Sequence, residues 1–135
     1  MDITIENLKR VETFMECLEE RCEDIIRWKK ENDPNGLVYT PPISGYLHDF
    51  QFDSENERIC FTVTEMAGLS DGDSDGMSIP YLELVNDDWK EVFIQQINEQ
   101  KQKIEKKNER IKIESEKWER DMYEKLKQKF EGENE

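Results

Sequence analysis

The residues with the clearest chemical potential are Asp71, Asp73 and Asp75, which alternate with small residues ahead of Gly76 in "LSDGDSDGM", Leu69 to Met77. Carboxylates at positions 1, 3 and 5 and glycine at 6 form the first half of an EF-hand calcium loop. The second half does not follow. Position 8 is Ser78 and position 12 is Leu82; Ile79 and Glu83 arrive one residue late, after Pro80. The expectation is therefore no dedicated metal site, with weak cation capture by Asp71, Asp73 and Asp75 as the remaining metal candidate. In an extended chain the three carboxylates would stand about 6.6 to 6.8 Å apart on one side. Asp53, Glu55 and Glu57 repeat the spacing. Such rows can offer a phosphate-like line of charge to a basic groove. The same residue types also populate turns for local hydrogen-bonding reasons, so a polar turn is the competing reading.

Other reactive groups are sparse. His48 is the only histidine, and a multi-histidine metal site or a His-based triad is not expected. Cys17, Cys22 and Cys60 are odd in number and lack CxxC spacing; on one helix, Cys17 and Cys22 would point about 140° apart. With no signal-peptide pattern and no apolar run near 18 residues, the expected setting is a reducing cytoplasm. No phosphate loop, dinucleotide fingerprint or nucleophile elbow is present in the sequence. The expectation is a protein that is not an enzyme and takes no cofactor.

The net charge of −14 over 135 residues is unevenly placed. Residues 1–32 carry 9 acids against 6 bases, residues 33–88 carry 12 against 1, and residues 89–135 carry 12 against 12. Arg58 is the only base of the middle segment, which should repel nucleic acid and anionic membranes and steer basic proteins toward itself. The expected partner is a basic, nucleic-acid-handling protein, with no direct nucleic-acid or membrane contact. Solubility alone is the plainer purpose such charge could serve.

These groups need positioning elements. Leu8, Val11, Met15, Leu18, Cys22 and Ile25 recur at steps of three and four, predicting an amphipathic helix from about 4 to 32, capped by Thr4 and stopped by "NDPNG". Residues 37–85 read as an acidic β region. In "YLHDFQF", Tyr46, His48, Phe50 and Phe52 alternate as an inward aromatic face; "RICFTVTE" alternates Ile59, Phe61 and Val63, completing a hairpin. After an acidic loop, "MSI" is a candidate third strand ended or pushed to an edge by Pro80, and "YLEL" a helical turn. From 87 to 131 runs one long helix, opened by Asp88 and Glu91 at capping-box spacing. Ile97, Ile104, Ile111 and Trp118 recur every seven residues while Gln100, Lys107, Glu114 and Asp121 are polar, and the stripe resumes at Met122, Leu126 and Phe130. This fills only half of a coiled-coil seam, so the helix should pack at its ends, with Trp89 to Ile97 on the sheet.

The run "RICFTVTEMAGLSDGDSDGMSIPYLELVNDDWKEVFIQQI" leads from a hairpin through "SIPYLEL" and a "DDW" cap into a Lys/Glu-rich helix. In that layout, over roughly Tyr46 to Phe130, the chain resembles small uncharacterised acidic proteins of phages and prophages. The resemblance implies a mobile-element origin and a role like that of anti-CRISPR or other host-defence inhibitors, which occupy nucleic-acid-binding surfaces. The reading is one α+β domain over 1–135: an N-terminal amphipathic helix, a small antiparallel sheet and a long charged C-terminal helix. Its proposed surface is Asp53, Glu55, Glu57, Asp71, Asp73 and Asp75. The alternative is a helical homodimer or adaptor that self-associates through Ile104, Ile111 and Trp118.

Overall fold

The computed structural model describes residues 2–41, 43–67 and 70–133, the side chains of 67, 70, 71 and 133 excepted. It is an α+β protein in the order α1 (Ile5–Asn32), β1 (Tyr46–Asp53), β2 (Arg58–Ala67), β3 (Ser70–Pro80), α2 (Tyr81–Val85) and α3 (Trp89–Glu133). Internal contacts divide the chain into two units, Met1–Ile97 and Asn98–Glu135.

Helix α1 starts where its sequence says it should, with the Asn7 N–H donating to Thr4 Oγ1 at 3.1 Å. It stops at Asp33, a buried residue. The Asp33 carboxylate accepts the backbone N–H groups of Leu37, Val38 and Tyr39 at 2.8 to 2.9 Å, so one acid organises the whole exit loop. Only the second half of the α1 stripe is covered. Leu18, Cys22 and Ile25 are buried, whereas Ile5, Leu8, Val11 and Phe14 are exposed.

The three strands form an antiparallel sheet in the order β1-β2-β3. Ile59, Phe61 and Val63 of β2, Ile79 of β3 and Leu47 of β1 face Leu18, Cys22 and Ile25 of α1 across the core. Each fully buried Ile or Val there stabilises the fold by about 1.5–3 kcal/mol. Gly45, just before β1, lies so near β2 that a Cβ would overlap the Thr64 backbone. That approach admits no side chain.

Two expectations about the sheet are corrected. The predicted inward row of Tyr46, His48, Phe50 and Phe52 is broken by a register shift between His48 and Gln51, where Asp49 adopts φ +56°. A bulge inserts one residue and reverses which residues face the core. Before it, Leu47 is buried opposite Val63; after it, Phe50 meets Phe61 at 5.3 Å between ring centroids and Phe52 pairs with Ile59. Tyr46 and His48 belong to the outer face. The acidic stretch expected as a loop is instead the body of β3, which runs from Ser70 to an edge position ending at Pro80.

The first unit closes on α2 and the start of α3. Trp89 packs against the core cluster, and Phe93 and Ile97 are buried. Trp28 of α1 meets Trp89 edge-on at 5.1 Å and Phe93 at 5.6 Å. The predicted Asp88 and Glu91 capping box does not form among the described residues; Asn86 Oδ1 accepts the Asp88 N–H at 3.0 Å. In the second unit, every described residue from Lys101 to Gly132 is exposed.

Candidate binding site

The first unit carries a groove of about 480 Å³, walled by Phe14, Cys17, Leu18 and Arg21 of α1, Phe52 of β1, and Tyr81, Leu84 and Val85 of α2. Phe14, Phe52 and Val85 are more than half exposed. Sequence reasoning missed this groove because it joins three distant segments. Its walls are braced by two basic side chains of α1, Arg21 and Lys29. Arg21 Nη2 donates to the carbonyls of Glu83 and Asn86 at 3.1 and 3.2 Å and to Asp87 Oδ1 at 2.8 Å. It thereby satisfies the carbonyls at the α2 C-terminus, which a helix leaves without intrahelical partners. That hydrogen bond from Arg21, with Lys90 nearby, holds the Asp87 carboxyl below the usual carboxylate range.

Lys29 pairs with Glu83, and both side chains are largely buried. The Lys29 ammonium also lies 5.0 Å from the Tyr39 ring centroid and 5.2 Å from that of Trp89. Burial, with the Glu83 charge adding to it, pushes the Tyr39 hydroxyl up to about 12. Both cations are thus engaged within the fold, although Arg21 also lines the groove; the turn that follows Phe52 carries the neighbouring acids.

That turn carries Asp53, Glu55 and Glu57, and Asp53 directly follows the groove residue Phe52. Asp53 has a local task as well: its carboxylate accepts the backbone N–H and the side-chain amide of Asn56, at 3.3 and 2.9 Å. These bonds hold its carboxyl below the usual range. Glu57 sits at φ +52°, and its carbonyl accepts the Tyr81 N–H at 2.8 Å, tying the turn to α2. Glu55 and Glu57 remain exposed.

The second acidic row lies elsewhere. Arg58 opposes Asp53 and Pro80, whereas Met66 opposes Asp71, eight residues along β2. At about 3.3 Å per residue Asp53 lies roughly 16 Å along the sheet from the level of Asp75, which pairs with Val63, and roughly 26 Å from that of Asp71. The β3 row is itself irregular, because the register shifts between Thr64 and Met66 and breaks the two-residue alternation between Asp71 and Asp75. Asp73 and Asp75 are exposed, and Asp75 Oδ1 accepts the Gly76 N–H at 2.8 Å. The side chain of Asp71 lies outside the described residues.

On the outer sheet face, His48 takes part in a polar chain that the sequence reading did not foresee. Its Nδ1 is 3.0 Å from Asp49 Oδ2 and its Nε2 is 2.6 Å from Thr64 Oγ1, which in turn is 2.8 Å from Ser74 Oγ. One histidine therefore suffices for an Asp–His–hydroxyl alignment. Thr64 is nevertheless buried at 3% exposure and carries bonds to β1 and β3 at once, so the chain acts as a cross-strand tie.

Among the described residues no helix is long and apolar enough to cross a membrane. Comparison with protein-family models, curated proteins and solved structures finds no match to this chain.

Proposed function

We propose that this chain is a non-enzymatic binding protein that inhibits a basic, nucleic-acid-handling partner. The acidic hairpin steers the partner, and the apolar groove beside the β1–β2 turn holds it. The observation that carries this reading is the junction at Phe52 and Asp53, where an exposed apolar wall meets a carboxylate turn in a segment with 12 acids and 1 base. Charge in such an arrangement mainly raises the association rate and selects the partner, while buried apolar area slows its release. A basic amphipathic helix has the matching chemistry, with apolar anchors for the groove and cations for the turn. The β3 acids add to the long-range field from the far end of the hairpin.

The test is displacement. Basic nucleic-acid-binding proteins captured from a bacterial lysate are identified and then loaded with labelled nucleic acid. The chain should release that nucleic acid at low salt and less so at high salt. A variant neutralised at Asp53, Glu55, Glu57, Asp71, Asp73 and Asp75, and separately Phe52→Ser, should fail to do so. Unchanged displacement by both variants contradicts the reading.

A further inference from the structure

We propose that residues 98–121 of α3 pair with the same residues of a second copy in antiparallel orientation, with Asn108 level with Ile111 of that copy. The inference is independent of the groove and its partner. It starts from a helix whose apolar side chains lack cover: Ile104, Ile111 and Trp118 are 43%, 53% and 64% exposed. Among the described residues, every ion pair lies within 1–97, so the charges of this helix are also left for an outside partner.

Seven-residue spacing places Ile104, Ile111 and Trp118 on one seam. A coiled coil alternates steps of three and four, so the seam's other positions lie either three or four residues further on. Three residues on are Lys107, Glu114 and Asp121; four residues on are Asn108, Ser115 and Met122. The second choice keeps acids out of the seam and leaves Lys101 as its one charge between 98 and 121. It makes Lys101, Asn108, Ser115 and Met122 the a positions and Ile104, Ile111 and Trp118 the d positions. The flanking g positions are then Lys107 and Glu114, and the e positions Glu105, Lys112 and Glu119.

Those flanks choose the orientation. In a parallel pair each g residue meets the e residue five places further along the other helix. That sets Lys107 against Lys112 and Glu114 against Glu119, each twice, and stacks Lys101 on its own copy. Asn108 would meet its equivalent, and Ile104, Ile111 and Trp118 would each stack on their own copy, but every charged flank named here would face its like. In an antiparallel pair g flanks meet g and e flanks meet e. With Asn108 level with Ile111, Lys107 meets Glu114 and Glu105 meets Lys112, each twice by symmetry. The seam then interleaves Lys101 with Trp118, Ile104 with Ser115 and Asn108 with Ile111, so every polar a residue lies across from an apolar one. Sliding the copy by one heptad in either direction destroys this match. One slide brings Lys107 onto Lys107 and Glu105 onto Glu105; the other brings Glu114 onto Glu114 and Lys112 onto Lys112. Residues 98–135 hold 11 acids and 11 bases, so no net charge on this segment opposes the pairing.

Sedimentation equilibrium of the full chain tests the orientation directly. The wild-type chain should self-associate reversibly. Lys107→Glu should weaken the dimer about tenfold, because two attractive contacts become repulsive. Adding Glu114→Lys should restore wild-type affinity. A parallel pair predicts the opposite, since the new carboxylate at 107 would meet Lys112 and tighten the dimer. A chain that stays monomeric, a Lys107→Glu variant that binds more tightly, or a double variant that is not rescued overturns the proposal. Circular dichroism of both exposed-site variants should show unchanged helix. Neutralising the six hairpin acids should leave self-association intact, which separates this result from any failure of the groove.

Discussion

Residues 1–97 and 98–133 are ordered by different physics. The first unit carries 22 acids against 8 bases and contains the whole described core, from Leu18 to Ile97. The second has balanced charge and no buried residue among those described. Helix α1 is rich in Glu, Lys and Arg, and sheet residues cover its second half, so packing adds to propensity there. Residues 98–131 contain neither Gly nor Pro and are dominated by Lys, Glu, Gln and Arg, all good helix formers. Tertiary packing is added to local preference in the first unit, whereas the described residues of the second rest on local preference. A side chain lost from each should therefore have very different consequences.

The largest expected effect is in the core. Ile59→Ala, at a fully buried position, should cost the first unit about 3–4 kcal/mol, read from denaturant unfolding by tryptophan fluorescence. If Ile59→Ala behaved like a surface change, the contrast between the units would collapse. Next comes the ion pair behind the groove. Glu83→Gln leaves Lys29 without its counter-charge in a largely buried place and should cost about 2–3 kcal/mol. Gly45→Ala forces a Cβ into the Thr64 backbone and should cost about 1–3 kcal/mol.

Alkaline pH sharpens the comparison further. Burial pushes the Cys22 thiol from 9.0 up to about 12 and the Tyr39 hydroxyl from 10.0 up to about 12. Both groups are held neutral by the folded state. The stability they contribute is whole below about pH 9 and is lost as pH rises through 12. Cys22→Ala should lower stability at pH 7 yet flatten its decline above pH 9, as followed by thermal unfolding across pH. The smallest effect belongs to the second unit. Ile111→Ala, studied at concentrations too low for self-association, should shift stability by no more than about 0.5 kcal/mol.

Much of this division was legible in the residues. The period of α1, its Thr4 cap, the alternation of Ile59, Phe61 and Val63 and the long run without Gly or Pro all signalled their elements. The bulge at Asp49 was not legible, because a left-handed aspartate looks like any other polar strand residue until its neighbours' register is known. The same applies to β3, whose Asp, Ser and Gly content reads as turn; pairing along β2 overrides that preference. The six acids were visible as two rows, but their separation at opposite ends of the hairpin depends on strand pairing. The groove, assembled from α1, β1 and α2, has no local signature at all.

The central claim is that the acidic, packed unit captures a basic partner and the exposed helix does not. The direct measurement is salt-dependent capture from a bacterial lysate by three full-length proteins side by side: wild type, Phe52→Ser with Asp53, Glu55 and Glu57 neutralised, and Ile104→Asp with Ile111→Asp. The account predicts that one basic nucleic-acid-binding protein is retained by wild type and by the helix variant, and lost from the groove variant. Retention by the groove variant with loss from the helix variant would contradict it.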